Sequence, residues 1–300
     1  MASAPPARIG VLYRRSGPKS GPACGRGADW PIRKAVYPTP LVWFTISLMS
    51  ADPISPLPSA VQPLPPENWS EAQTILAVLA HPDDPEFFCG ATLARWASLG
   101  HTIHYCLLTR GDKGVRDQIV DPAELARTRE VEQRGAADAL GVKQIVFLDY
   151  YDGYVVPSLE ARRDVARQIR RFRPDVVVTC DPTQIFGDNS INHPDHRYVG
   201  QIVVDAFFPA AGNPLYFPEL LKEGLEPFAP RELWLTVTGN PNTTVDVTAY
   251  WETKLRALHN HATQISDMSK LDERIRGRHT PDTTLENPRY EEKFRRFVFR

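Results

Sequence analysis

Thr74–Ala80 reads TILAVLA and runs straight into His81-Pro82-Asp83-Asp84. A short apolar run that stops at a polar cluster predicts a buried strand, because a helix needs a longer periodic segment. The same unit recurs outward from it. A helical pattern over Phe88–Leu99 ends at Gly100, and TIHYCLLT (Thr102–Thr109) predicts a second strand. Ala123–Leu140 has helical spacing with Gly141 placed as its stop. Gln144–Leu148 predicts a strand, Leu159–Phe172 a helix, Asp175–Cys180 a fourth strand and His193–Ala211 a helix. Leu233–Val237 and Thr244–Val247 predict later strands, and Tyr250–His261 a last helix. Strands alternating with helices predict an α/β fold: a Rossmann-like, mostly parallel sheet flanked by helices. In such sheets ligands bind beyond the carboxyl ends of the strands, so the loops after Ala80, Thr109, Leu148 and Cys180 are where an active site belongs.

Composition narrows the classes. The chain has 300 residues and a formal net charge of -1, which gives no global electrostatic case for a nucleic-acid partner. Arg162, Arg163, Arg167, Arg170, Arg171 and Arg173 are spaced as the exposed face of one helix. Cys24, Cys89, Cys106 and Cys180 form no CxxC pair, which excludes a cysteine-rich zinc site or a thioredoxin-type motif. Cys106 and Cys180 sit in apolar runs as small buried hydrophobes, and the pattern suits a reduced, cytoplasmic protein. Leu41–Met49 (LVWFTISLM) is far shorter than the roughly 20 residues of a membrane span. No small-residue cleavage pattern follows it, which argues against a secretory signal. Residues 1–70 lack a sustained period, and Pro53, Pro56, Pro58, Pro63, Pro65 and Pro66 suit an extended, disordered linker. Translation starting at Met49 would make residues 1–48 a gene-calling artefact; an intact mass matching the chain from Met1 would exclude this. The folded catalytic unit is expected over 71–300. Nothing in the sequence fixes oligomeric state, and a homo-oligomer is compatible with it.

The chemistry gathers in two loops. His81-Pro82-Asp83-Asp84-Pro85-Glu86 follows the first strand, and Asp188-Asn189-Ser190-Ile191-Asn192-His193-Pro194-Asp195-His196 follows the fourth. Both open onto the same sheet edge. Two histidines and a carboxylate make a catalytic zinc shell with a fourth position for water, and a carboxylate left over can act as general base. Either loop alone reads more readily as structure. Asp83 or Asp84 could cap the next helix, and His193 and His196 could bond locally at a helix start. Their joint placement at two strand ends favours a metal site.

These motifs resemble the LmbE-like/PIG-L-like family of zinc-dependent de-N-acetylases. AHPDDPEFFCGATLARW (Ala80–Trp96) is similar to its signature, with Ala91 where a second glycine is usual. LLTRGDKG (Leu107–Gly114) is similar to its Thr-x-Gly-Glu-x-Gly turn, with Asp112 in place of glutamate. Arg129-Glu130-Val131-Glu132, NHPDHRYVG (Asn192–Gly200) and KLRALHNHATQ (Lys254–Gln264) follow in the family's order, so the resemblance covers roughly 72–265.

The resemblance implies zinc held by His81, Asp84 and His196. It implies zinc-bound water as nucleophile, with Asp83 as its general base. It implies His193 as donor to the tetrahedral oxyanion or as an aid to proton transfer. Arg129 would orient substrate or hold the acidic cluster. The expected reaction is hydrolysis of an N-acyl group, N-acetyl above all, from an amino sugar such as N-acetylglucosamine or from a sugar conjugate. The expected partner is that small molecule, with no nucleic acid and no membrane span. A zinc amidase acting on a thiol conjugate or secondary metabolite would use the same residues. Iron, cobalt or manganese could fill similar ligands. A nucleotide-binding module would need a GxGxxG loop where HPDD stands. A metal-binding protein without turnover would be indifferent to loss of Asp83.

Other residues read as structure. Trp96 falls on the apolar face of its helix, and His101 and His104 flank or sit in a strand. His261 could approach the site from the last helix. Tyr150, Tyr151, Asp152 and Tyr154 could wall a sugar pocket or simply pack their loop. Glu86, Asp195 or a backbone carbonyl could orient a ligating imidazole.

Overall fold

The computed structural model describes residues 67–115, 119–187 and 189–299. Cys24, Leu41–Met49, the linker prolines and Asp188 lie outside them. In chain order the elements begin with β1 (Thr74–Leu79), α1 (Asp84–Ser98), β2 (Thr102–Thr109), α2 (Pro122–Leu140) and β3 (Gln144–Tyr150). They continue with α3 (Leu159–Phe172), β4 (Val176–Cys180), the short hairpin β5 (Phe186–Gly187) and β6 (Ser190–Ile191), α4 (Pro194–Asp205) and α5 (Pro218–Lys222). β7 (Glu232–Thr236), β8 (Thr243–Asp246), α6 (Trp251–Leu258), α7 (Met268–Arg276) and β9 (Glu291–Val298) complete the chain.

The main sheet has the order β3-β2-β1-β4-β7-β9-β8. The first five strands are parallel, and β9 and β8 close the edge antiparallel. The mostly parallel α/β sheet flanked by helices is thus the architecture that the alternation of strands and helices predicts. β1 explains why its sequence is apolar without alternation. Ile75, Ala77 and Leu79 pack into the core on one face, and Leu76, Val78 and Ala80 into the core on the other. A strand covered by helices on both sides has no wet face to mark.

The strand order reverses between β1 and β4. The chain leaves β1 toward β2 and β3, and leaves β4 toward β7, so the loops after β1 and β4 diverge and open a crevice.

Several boundaries differ from the sequence reading for physical reasons. α1 starts at Asp84, not Phe88, and is interrupted at Cys89, whose backbone is non-helical (φ -149, ψ 16). Past that kink the N–H groups of Ala91 and Thr92 donate to the Glu292 carboxylate (3.3 and 2.8 Å). The regular apolar spacing holds only beyond the kink, which hid the first turn. The Ala91 methyl is fully buried in the core. α4 ends at Asp205, not Ala211. Pro209 lacks a backbone donor, and Phe208 is extended (φ -141, ψ 127) within a wide turn over Ala206–Ala210. Arg170 is not on an exposed face. It is buried and donates to the carbonyls of Ala210, Ala211, Asn213 and Tyr216. β9 went unread because its inward positions are Glu292, Phe294 and Arg296, two of them charged. Trp96 is in the core, Cys89, Cys106 and Cys180 are buried free thiols, and His104 stacks on Phe172. Among the described residues no helix is long and apolar enough to cross a membrane.

Candidate active site

The loop after β1 is tightly built. Asp84 turns one carboxylate oxygen back to accept from the backbone N–H of Ala80 (3.1 Å) and of His81 (2.9 Å). This anchors the loop to the end of the strand and places Asp84 beside the His81 ring, with Oδ2 3.4 Å from Nδ1. The second loop brings its histidines to the same spot. The His81 ring centroid lies 4.8 Å from that of His193 and 5.2 Å from that of His196. The Nε2 atom of His196 lies 3.1 Å from Asp84 Oδ1. His81, Asp84, His193 and His196, separated by more than a hundred positions in sequence, therefore meet in the crevice between β1 and β4.

Hydrogen bonds fix the tautomers. Asn192 donates through Nδ2 to the Gln184 carbonyl (2.9 Å), so its Oδ1 faces His196 and accepts from Nδ1–H (3.0 Å). That leaves a lone pair on His196 Nε2, pointing at a carboxylate oxygen. His81 repeats the arrangement. Its Nε2 faces Asp152 Oδ1 (3.2 Å) and Asp195 Oδ2 (3.3 Å), both acceptors, so a proton sits there, and Nδ1, facing Asp84, is the nitrogen a cation would take in place of its proton. Acceptors facing acceptors at 3.1 and 3.4 Å repel unless a cation or proton lies between them. The donor set His81 Nδ1, Asp84 and His196 Nε2 thus fits a divalent cation with mixed nitrogen and oxygen ligands, and the Asp152 and Asp195 carboxylates behind His81 hold the ring in place.

Two triads have ligand atoms within metal-binding range of one another: His81, His193 and His196, and His81, Asp152 and Asp195. The second would use the His81 nitrogen already engaged as a donor. The first lacks a carboxylate unless Asp84 joins it.

Electrostatics agree. Burial opposes charge on His81, yet Asp84, Asp152 and Asp195 outweigh it and hold the imidazole well above its ordinary value. Burial likewise opposes the charge on Asp84, but His196 and His81 keep its carboxyl far below the usual range. The cluster attracts positive charge, and Asp195 keeps a second oxygen buried without a hydrogen-bond partner.

Asp83 sits apart from this shell. It adopts a left-handed backbone (φ 91, ψ -27), which costs a non-glycine residue about 1–3 kcal/mol and marks a held conformation. It occupies the N-cap position of α1, but its side chain makes no capping bond, so the capping expectation fails for it. The carboxylate instead faces Arg129, 3.3 Å away, which also donates to the carbonyls of Pro82 (2.6 Å) and Gly111 (3.1 Å). Burial pushes the Asp83 carboxyl up to about 6, with Arg129 pulling it down and Asp84 adding to the rise. Arg129 is buried in a slot made by glycine. A side-chain carbon at Gly111, whose φ is +67, or at Gly114 would collide with its guanidinium. This gives the Thr-x-Gly-x-x-Gly turn its reason. Of the two roles expected for Arg129, its contacts match holding the acidic cluster.

His193 caps α4, its Nδ1 accepting from the Asp195 N–H (3.2 Å). The neutral ring therefore carries its proton on Nε2. Burial and the neighbouring His81 lower its pKa, favouring that neutral, donating form. The structural reading of His193 as a local cap is correct and is compatible with a free Nε2–H.

Asp152 is the residue that sequence reading placed least well. It sat among aromatic residues in a loop after the third strand, and the structure turns it inward onto His81. Asp112 makes this possible, accepting from the Asp152 N–H at 2.9 Å. Tyr151 and Tyr154 remain exposed on the outer side. Tyr151 borders a cleft of about 440 Å³ with Arg110, Asp112 and Asp149. His261 does approach the site, buried and 3.2 Å from Glu86. Glu86 binds Gln133, Tyr105 and His261 rather than a histidine of the crevice.

Comparison with known proteins identifies relatives of this chain. Residues 76–207 match the family model described as PIG-L: GlcNAc-PI de-N-acetylase. The chain is 33% identical to the diacetylchitobiose deacetylase of Thermococcus kodakarensis, over 67% of this chain and 73% of that protein. It is 30% identical to the 1D-myo-inositol 2-acetamido-2-deoxy-alpha-D-glucopyranoside deacetylase of Kineococcus radiotolerans, over 67% of this chain and 71% of that one. The crystal structure of N,N'-diacetylchitobiose deacetylase from Pyrococcus horikoshii superposes with a TM-score of 0.69 at 30% identity, covering 76% and 85% of the two chains. Its sequence motifs, the crevice they build and these relatives together make the chain a member of the PIG-L (LmbE-like) family of de-N-acetylases, hydrolases of amide bonds.

Proposed function

We propose that this protein hydrolyses the N-acetyl group of an amino sugar or sugar conjugate, with zinc held by His81, Asp84 and His196. The observation that carries the reading is the convergence on Asp84: one of its oxygens lies 3.4 Å from His81 Nδ1 and the other 3.1 Å from His196 Nε2. When bound, zinc lowers the pKa of water to about 7 and polarises a carbonyl as a Lewis acid.

The chain's own groups supply the rest. Asp83 takes the proton from the attacking water; its raised pKa suits a base that must later return that proton. The water oxygen bonds to the acetyl carbon, and the carbonyl oxygen gains negative charge. His193 Nε2–H is the donor for that oxygen. Collapse breaks the C–N bond, the amine leaves with the proton from Asp83, and acetate remains. Arg129 keeps the Asp83 carboxylate directed while it is charged. The relatives named for diacetylchitobiose and for an inositol-linked glucosamine support a sugar substrate. The cleft bordered by Tyr151, Asp112 and Asp149 offers an aromatic face and polar edges to the rest of such a conjugate. The unit performing this is taken as residues 71–300.

The test pairs metal content with amine release from N-acetylglucosamine, diacetylchitobiose and inositol-linked N-acetylglucosamine. About one zinc per chain and chelator-sensitive release are expected, with both lost in His196→Ala. Absence of metal after reconstitution, or full zinc occupancy in His196→Ala, would remove the proposed shell. Zinc without release from any of the three would leave the shell and overturn the sugar substrate.

A further inference from the structure

Beneath Asp83 lies a buried polar network that the reaction as described does not use. The Asp83 backbone N–H donates to Gln133 Oε1 at 2.8 Å. Gln133 Nε2 donates to both oxygens of Glu86, at 3.0 and 3.1 Å. Those oxygens are also reached by the Tyr105 hydroxyl (3.4 Å) and His261 Nε2 (3.2 Å). Gln133, Glu86, Tyr105 and His261 are all fully buried.

The amide of Gln133 can face only one way. A backbone N–H must meet its oxygen, and the Glu86 carboxylate must meet its nitrogen. Glu86 is fixed in turn by donors from β2 and from the turn after α6. The chain of bonds therefore ends in a single acceptor held at the N–H of a residue in left-handed backbone. On the other side of Asp83, Arg129 grips the Pro82 carbonyl (2.6 Å). The two clamps come from one helix, α2, at Arg129 and Gln133, four residues and about one turn apart.

We infer that Gln133, locked by Glu86 and His261, is a positioning residue. It holds Asp83 in the left-handed conformation that separates its carboxylate from that of the adjacent Asp84. One carboxylate is thereby directed to the metal shell and its neighbour to the attacking water. This rests on the reading of Asp83 as general base. Without the bond to Gln133, the Asp83 N–H loses the acceptor that holds it, and the backbone relaxes toward an ordinary helical start. The carboxylate then moves off the line of proton transfer, although nothing in the shell has changed.

Gln133→Met keeps the volume and removes all three hydrogen bonds of the amide. The expected result is a fall in kcat of about 10–100-fold, with KM within about twofold and zinc per chain unchanged. The discriminating measurement repeats the substitution in an Asp83→Ala background. N-trifluoroacetylglucosamine is the substrate, its electron-poor carbonyl bringing residual rates into range. Gln133→Met should cost nothing further there, since the group it positions is gone. A wild-type kcat in folded Gln133→Met overturns the inference, and so does a loss of the same size in both backgrounds, which would mark a merely structural role. Impaired Asp83→Ala beside unimpaired Gln133→Met removes this inference alone. Unimpaired Asp83→Ala removes the base and the inference with it. Should Gln133→Met fail to fold, Gln133→Asn keeps the amide but withdraws it by one methylene and carries the same expectations.

Discussion

The two ends of the parallel strands carry buried charge in opposite ways. At the amino end, Glu232 opens β7 and receives both guanidinium arms of Arg296 (2.9 Å each) and the indole N–H groups of Trp69 (2.9 Å) and Trp234 (2.8 Å). Each carboxylate oxygen has donors, and the charges balance. At the carboxyl end, Asp84, Asp152 and Asp195 surround the single imidazole of His81, and one Asp195 oxygen has no hydrogen-bond partner. A charge cluster that serves folding is closed by its own residues. The carboxyl-end cluster instead gathers three carboxylates around one imidazole, an arrangement that favours an added positive charge.

Breaking the carboxyl end should affect turnover most. Asp83→Ala is expected to lower kcat by about 10²–10⁴-fold with zinc retained; steady-state rates with metal analysis check this, and normal turnover would end its role as base. His193→Ala should follow at about 10²–10³-fold, the size of a lost oxyanion donor, again with metal in place. Asn192→Ala replaces no proposed ligand but frees the His196 ring. Zinc affinity, read by chelator competition, should weaken about 10–100-fold. Unchanged affinity would mean that the ring is oriented by something else.

At the amino end the prediction reverses: stability moves and chemistry does not. Glu232→Ala removes the carboxylate that receives two Arg296 donors and two indole N–H groups and should destabilise the fold by about 1–3 kcal/mol in denaturant titration. The kcat of the folded enzyme should be unchanged. The pH dependence has a definite sign. Burial opposes the charge on Glu232, but Arg296, Trp69 and Trp234 outweigh it and depress its pKa in the folded state. Its contribution is therefore complete above the unfolded value, about 4.3, and is lost as pH falls through the folded value. Glu232→Ala should flatten the acid limb of a melting-temperature profile. An unaltered limb would show that other carboxylates set it.

The sequence by itself determined the α/β alternation, because each buried strand is short, apolar and followed by a polar loop. It also pointed to the two loops that meet, because HPDD directly follows the first parallel strand and NHPDH lies in the connection after the fourth. The family resemblance named the residues there. Tertiary structure alone decided what lies behind them. Asp152 reads as one acid in an aromatic loop until Asp112 turns it onto His81. Gln133 reads as one polar position on a helix until Asp83 is seen to need an acceptor. β9 reads as charged until Glu292 and Arg296 find Lys254, Glu232 and the kinked α1. The physical reason is the same in each case. Hydrophobic period is a local property written into neighbouring residues, whereas a buried polar group is explained only by a partner that the chain brings back from far away.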